Sequence, residues 1–292
     1  MTERLRADFS ASRARIERAT RLRTEIADIL KNQSEGRFNV TRQQRGSRVV
    51  LEATYETHPD LAVIFGDWLA NVRAVLDYAI YQLAIQDTQR NPPSHQGARM
   101  FPIKKTVEEF DRARTSDALR GLSPATMRAI ENMQPYHTSY GAEGNGILWL
   151  HDLARKDRHR RPFVMGARIT EFRAHVPYPQ SQLVIEHKIY DPDRISGLVG
   201  PGERLVLAEF HCSSVSDAKR LQNQIEVWIT QTLEVLDWFR ESHTAGIAAN
   251  IRNDSLEDRM KFIERYMRLA IDQFENEMPE NSVPLEYEAG GE

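Results

Sequence analysis

Residues 61–86 read LAVIFGDWLANVRAVLDYAIYQLAIQ, a run long enough for about seven turns of α-helix. Its apolar residues recur at steps of three and four, the spacing of one buried face on an amphipathic helix. Asp60, which follows Pro59, is a candidate cap for the first turn. The stretch therefore predicts a long core helix, and its buried stripe consists of Leu61, Phe65, Trp68, Val72, Leu76, Ile80 and Leu83.

Helical spacing also appears on both sides of this stretch. The first 31 residues carry one apolar stripe, with arginines over the rest of the surface, and Gly36 follows as a stop signal. Ser123 precedes Pro124, and this pair is typical of a helix start. The other predicted helices cover residues 106–113, 123–133, 147–158, 213–243 and 255–274.

Two parts of the chain instead alternate apolar and polar residues, which is the period of a β-strand. Residues 37–56 (RFNVTRQQRGSRVVLEATYE) alternate on both sides of residues 44–47 and predict an N-terminal β-hairpin. Residues 163–176, 183–190 and 205–212 alternate in the same way and predict an antiparallel meander. The expected fold class is α+β: mainly a helical bundle with an inserted small antiparallel β-meander and an N-terminal β-hairpin.

Length and composition bound the remaining possibilities. We expect residues 1–274 of the 292 to form a single domain with the β insertion at about 163–212, and residues 275–292 to be a disordered acidic tail. Cys212 is the only cysteine, which excludes a disulfide framework, a thiolate zinc site and an iron–sulfur cluster. The net charge of −3 excludes a histone-like polycation. No stretch approaches 18 apolar residues, so we expect a cytoplasmic protein without a membrane partner.

The long helix also carries the first candidate functional residues. Arg73, Asp77 and Tyr81 are four residues apart and therefore share one edge of the helix. One interpretation is an intrahelical arginine–aspartate ion pair with a purely structural role. The second interpretation rests on a resemblance. The Arg73-x4-Tyr78 spacing resembles the arginine-x4-histidine motif of HEPN domains, with Tyr81 near the position where that family often has a tyrosine.

The HEPN resemblance implies a fold and an activity. HEPN domains are helical bundles, often dimeric, and many are metal-independent ribonucleases. In such an enzyme Arg73 would stabilise the scissile phosphate, and the histidine would take a proton from the 2′-hydroxyl. This chain departs from the family because Tyr78 stands at the histidine position. A tyrosine, with an ordinary pKa near 10, is a poor base at neutral pH.

A broader likeness spans residues 66–160. GDWLANVRAVLDYAIYQLA at 66–84, FPI at 101–103, QPY at 134–136 and LHDLARKDRHR at 150–160 are similar, in order and spacing, to an uncharacterised group of bacterial and phage proteins. That group has a NLRSALDH-like helix and an aspartate-x-HR signature. The resemblance implies that relatives have histidine at the position of Tyr78, and it fits a role in phage defence or as a toxin.

The second candidate segment is HDLARKDRHRR at 151–161. On a helix, His151, Arg155 and His159 share one face. The basic run has a structural interpretation, because cations stabilise the last turn of a helix and Pro162 stops it. Its functional interpretation is a phosphate-binding patch for nucleic acid. Two histidines eight residues apart do not have the spacing of a zinc pair, so no metal is expected. The patch residues are Arg155, Arg158, Arg160 and Arg161.

These features support two classes of function. The first is a HEPN-like RNA-directed protein without a cofactor, either a metal-independent ribonuclease or a degenerate RNA-binding relative. Because position 78 lacks a histidine, proton transfer at neutral pH would need His159 or His151. The alternative is a non-catalytic interaction or scaffold module that binds a protein partner or a second copy of the chain. If the candidate catalytic residues converge on one cleft, the enzyme is favoured over the interaction module. The candidate catalytic residues are Arg73, Asp77, Tyr78, His151 and His159.

Overall fold

A computed structural model shows that the chain is α+β, with long helices and two small antiparallel sheets. The structure describes residues 4–32, 38–139, 141–159, 163–190, 197–244, 251 and 253–276, without the side chains of residues 32, 158, 159, 243 and 244. The helices are α1 (Ser10–Asn32), α2 (Asp60–Thr88), α3 (Val107–Arg114), α4 (Pro124–Asn132), α5 (Gly146–His159), α6 (Val215–Leu221), α7 (Leu236–Thr244) and α8 (Leu256–Glu275). The strands are β1 (Phe38–Arg45), β2 (Arg48–Tyr55), β3 (Met165–His175), β4 (Val184–Ile189), β5 (Leu198–Val199), β6 (Arg204–Cys212) and β7 (Glu226–Val235).

The chain divides into two compact units. The helical unit comprises Met1–Ile26, Val63–Pro162 and Glu241–Glu292, and the β-rich unit comprises Ala27–Ala62 and Phe163–Arg240. A single domain over residues 1–274 stays a prediction. The predicted acidic tail lies outside the described residues from position 277 onwards, and residue 275 is the last residue of α8.

Helix α2 has the buried face that its periodicity predicts. Every residue of the predicted stripe from Leu61 to Leu83 is buried. Trp68 stacks on Phe65 with ring centroids 5.8 Å apart, and the Trp149 ring of α5 lies 6.2 Å from it. The indole Nε1 of Trp68 donates a 3.0 Å hydrogen bond to the buried Glu264 carboxylate of α8. The polar atom of this core tryptophan therefore has a partner, as burial requires.

Helix α1 starts later than its periodicity suggests. The residues before Ser10 are not helical, and their backbone amides donate to glutamine side chains in the last turns of α2 and directly after it. Leu5 N is 2.9 Å from Gln89 Oε1, and Asp8 N is 3.1 Å from Gln82 Oε1. These side chains satisfy amides that a further helical turn would have paired internally.

Two helix starts follow their sequence signals. The Ser123 side chain accepts a hydrogen bond from the Thr126 amide, and Pro124 occupies the first turn of α4. The side chain of Ser214 accepts from the Asp217 amide at the start of α6. Ser214 is therefore the N-cap of α6.

The strands form two antiparallel sheets, which contradicts the predicted meander. One sheet has the order β1-β2-β6-β4, and the other has the order β5-β3-β7. Strand β3 therefore does not pair with β4, although the two follow one another along the chain. The core of the β-rich unit lies among side chains of β2, β6, β3 and α6, for example Leu51, Phe210, Ile169 and Leu221.

A second correction concerns residues 213–243, which are not one helix. They form the short helix α6, the strand β7 and the start of α7. The apolar residues Val227, Ile229 and Leu233 are separated by two and four residues, so they also share one face of a strand. Strand β7 pairs with β3 over almost its whole length, from Glu226 opposite His175 to Val235 opposite Met165. The apolar spacing of this segment fits both a helix and a strand, and pairing with β3 selects the strand.

None of the helices in the described ranges is both long enough and apolar enough to cross a membrane.

Candidate functional site

Arg73 is held in place by its own helix and by a neighbouring loop. Its Nη1 donates to Asp77 Oδ1 at 2.6 Å, and its Nη2 donates to the Phe101 carbonyl at 2.7 Å. The Phe101 amide donates to the same Asp77 Oδ1 at 2.9 Å. The ion pair expected from the four-residue spacing is present, and it also ties the loop to α2. Because its side chain is only 3% exposed and both terminal guanidinium nitrogens are bonded, Arg73 is a fixed group whose orientation is set before any ligand binds.

Arg73 also lines a cleft of about 710 Å³. Its walls come from α2, the segment 98–105, α3 and α5. The charged groups are five cations and two carboxylates, so the lining has a net charge of +3 when histidine is neutral, in a chain whose net charge is −3. The cleft therefore has the electrostatic character of an anion site. These charged residues are Arg73, Lys104, Lys105, Arg112, Arg155, Glu109 and Asp152.

A buried glutamine fixes the lysine-bearing wall of the cleft. Gln134 Oε1 accepts from the Lys104 amide at 2.9 Å, and Gln134 Nε2 donates to the Pro102 carbonyl at 3.0 Å. Lys105 Nζ donates to Glu143 at 2.7 Å, which partly neutralises its charge. Within the described part of the chain, the side chain of Lys104 forms no ion pair. Lys104 is therefore the cation on this wall that is best placed to receive an anion.

His151 lies in the same cleft, and its surroundings favour the neutral imidazole. Burial and, after it, the positive charges of Arg73, Arg155 and Lys104 together lower its pKa to about 4, against the opposing effect of Asp152. At pH 7 the ring is therefore neutral and has one nitrogen that can accept a proton.

Tyr78 does not share the cleft with Arg73 and His151. Together with Asp77 and Tyr81 it lines a separate, smaller pocket of about 400 Å³. The rotation between residues 73 and 78 on a helix is about 500°, or 140° after one full turn, so the two side chains leave α2 in different directions. Tyr78 therefore does not take part in the convergence on one cleft that would favour an enzyme.

The basic run of α5 is described only in part. Arg155 lines the cleft with 68% of its side chain exposed and lies 3.8 Å from Asp152. Arg158 and His159 end α5, but the positions of their side chains lie outside the described residues, as do Arg160 and Arg161 entirely. Of the predicted site residues, the structure thus brings Arg73, His151 and Arg155 to one cleft, with Asp77 directly bonded to Arg73.

The sequence interpretation missed three cations of the cleft. Lys104 and Lys105 directly follow the FPI segment at 101–103, and Arg112 lies on the short helix α3. The adjacent lysines beside a segment already singled out were the available signal. No sequence signal pointed to Arg112, because its position in the cleft depends on how α3 packs against the loop.

The described residues contain no group of three or more histidine, cysteine, aspartate or glutamate side chains that could hold a metal ion. Comparisons with protein-family models, with curated proteins and with solved structures find no match to this chain.

Proposed function

We propose that this chain is a HEPN-like RNA-directed protein whose helical unit is a HEPN-type bundle that binds the RNA backbone in the large cleft. The observation that carries the proposal is the convergence of Arg73 and neutral His151 in a cleft with a net positive lining. Buried titratable groups with shifted pKa values in a cleft mark candidate active sites. The likeness to the bacterial and phage group supports a place in a defence or toxin system.

The proposed chemistry is metal-independent cleavage of RNA. The 2′-oxygen forms a bond to the adjacent phosphorus, the 5′-oxygen leaves, and the products are a 2′,3′-cyclic phosphate and a 5′-hydroxyl. His151 takes the proton from the 2′-hydroxyl, and Arg73 with Lys104 stabilises the charge that develops on the phosphate. An imidazole with a pKa of about 4 is a weak base, but a bound phosphate anion raises that pKa by offsetting the surrounding cations. His159, whose side chain lies outside the described residues, is the candidate general acid that donates a proton to the leaving 5′-oxygen.

The first experiment is incubation of the purified protein with mixed single-stranded RNA, with and without a chelator. We expect cleavage that the chelator does not change. His151→Asn should lower the rate by about 10²–10⁴-fold, which is the usual contribution of a general acid or base. Cleavage that is unaffected by His151→Asn, or that requires a divalent ion, would contradict the proposed chemistry.

The second experiment separates backbone binding from catalysis. Arg155→Ala should weaken RNA binding for all sequences and reduce the salt dependence by about one slope unit. Arg21→Ala is the matched control, because Arg21 is exposed on α1 and does not line the cleft. The triple change of Arg158, Arg160 and Arg161 to Ala should flatten the slope further, by roughly one unit per lost contact. If the wild-type protein does not bind RNA at low salt, the cleft is not an RNA site.

One observation favours the alternative, a non-catalytic interaction module. Strand β4 is the edge of its sheet, and its Ile185 and Ile189 are 70% and 46% exposed. An exposed apolar edge strand can pair with a second copy of the same strand. Under this alternative, the protein forms a dimer in sedimentation experiments that Ile185→Lys disrupts, and it does not bind RNA.

A further inference from the structure

The smaller pocket beside Asp77 has the size and lining of a site for one aromatic ring system. Its volume is about 400 Å³, within the range of small-ligand sites. The lining side chains are those of Ala11, Asp77, Tyr78, Tyr81, Gln82 and Arg99. Nothing in the proposed backbone chemistry uses this pocket, although Asp77 connects it to the cleft.

The polar groups that line the pocket include a carboxylate acceptor and an amide donor. Asp77 Oδ1 already accepts from Arg73 and from the Phe101 amide, and among the described residues Oδ2 has no hydrogen-bond partner. Gln82 uses Oε1 to accept from the Asp8 amide, and its Nε2 has no partner within the same part of the chain. The carboxylate oxygen and the amide nitrogen are therefore both available to a ligand.

The aromatic wall of the pocket is held in a fixed position. Arg15 Nη2 donates to the Tyr78 hydroxyl at 3.1 Å, and the Arg15 guanidinium carbon lies 5.5 Å from the centre of the Tyr78 ring. Arg15 Nη1 in turn donates to Asn71 Oδ1 at 3.0 Å. Tyr78 is nevertheless 37% exposed. A large ring that is restrained but open to solvent is a suitable stacking surface for a nucleobase.

The geometry points to a nucleobase subsite: the ring stacks against the tyrosines, a ring N–H donates to Asp77 Oδ2, and Gln82 Nε2 donates to a ring carbonyl. Guanine presents this pair of groups, with a second N–H beside the first. This inference deepens the proposed function, on which it rests for its substrate class. Because Asp77 Oδ1 binds Arg73 and Phe101 of the cleft, the subsite would read a guanine next to the bound phosphate.

The test uses guanosine, which has no phosphate, in calorimetric titrations of the full chain. We expect saturable binding of guanosine, weaker binding of adenosine, and at least a roughly tenfold loss of guanosine affinity in both Asp77→Asn and Tyr81→Leu. Asp77→Asn replaces Oδ2 by a donor, whereas Tyr81→Leu leaves the contact with Arg73 untouched. The matched controls are Asp67→Asn, at an exposed aspartate of α2, and Tyr178→Leu, at a tyrosine that is 78% exposed. Thermal unfolding verifies that each variant is folded.

The outcomes for the subsite and for the proposed function are distinguishable. If guanosine does not bind while RNA binding persists, the subsite is overturned and the backbone cleft stands. If guanosine binds with the expected dependence on Asp77 and Tyr81 but RNA is neither bound nor cleaved, the subsite stands and the proposed function fails. Equal affinity for guanosine in all variants overturns the subsite. Equally tight binding of N-acetyltryptophanamide, with no preference for guanosine, overturns it in favour of an aromatic peptide side chain.

Discussion

The low pKa of His151 predicts that the protein loses stability in mild acid through this one side chain. In the unfolded chain the imidazole has a pKa near 6.5, whereas burial and the neighbouring cations lower the pKa in the fold to about 4. Between these values the unfolded state binds more protons than the folded state. The stabilisation is therefore fully present above pH 6.5 and is lost as the pH falls toward 4.

The magnitude follows from the two pKa values. Each tenfold change in proton affinity corresponds to about 1.4 kcal/mol, so the full effect is about 3 kcal/mol below pH 4. At pH 5 about 2 kcal/mol of it is already lost, because the unfolded imidazole is protonated while the folded one remains neutral. That loss is a substantial share of the 5–15 kcal/mol that typically stabilises a folded protein.

The assay compares urea unfolding of the wild-type protein and His151→Asn at pH 8 and pH 5. Asparagine does not titrate, so every other pH-dependent group contributes equally to both proteins. Phosphate buffers are avoided, because an anion in the cleft would raise the pKa of His151. We expect the wild-type free energy of unfolding to fall by about 2 kcal/mol more than that of His151→Asn. Equal losses in the two proteins would refute the assignment of the shift to burial beside Arg73.

Three further predictions test the helical unit. Gly66→Ala should change the free energy of unfolding by less than about 1 kcal/mol, because the helix-propensity gain of alanine offsets the displacement of the Asp157 carboxylate, whose Oδ1 would lie 3.0 Å from the new Cβ; equilibrium denaturation measures this, and a loss above about 2 kcal/mol would contradict it. Glu264→Ala should cost about 3–5 kcal/mol, because it leaves the buried Nε1 of Trp68 and a nearby guanidinium without their acceptor, and Glu264→Gln should cost less in the same experiment. Tyr78→His should not raise the rate of RNA cleavage, since residue 78 opens on the smaller pocket and not on the cleft; a gain of about tenfold or more would show that this side chain reaches the scissile phosphate.

Local chemistry alone specified several elements of this protein. The three-and-four spacing over residues 61–86 identified α2 and its buried stripe, since apolar residues at that spacing share one face of a helix. Ser123 with Pro124 marked the start of α4, because the Ser123 hydroxyl accepts a hydrogen bond from a backbone amide three residues further on. The Arg73–Asp77 ion pair was also predictable from the sequence, because side chains four residues apart on a helix lie next to each other.

Tertiary structure decided what local patterns left open. Residues 226–235 fit both a helical and a strand period, and only pairing with β3, about 60 residues away in sequence, selects the strand. The same holds for the candidate site. The loop after α2 is bonded back to that helix through Asp77, and this loop brings Lys104 into the cleft that Arg73 and His151 line. Tyr78 lies on a different side of α2 and lines the smaller pocket. Sequence spacing fixes which side chains share a face, but a cleft is formed by segments that are far apart along the chain, and their packing is a property of the whole fold.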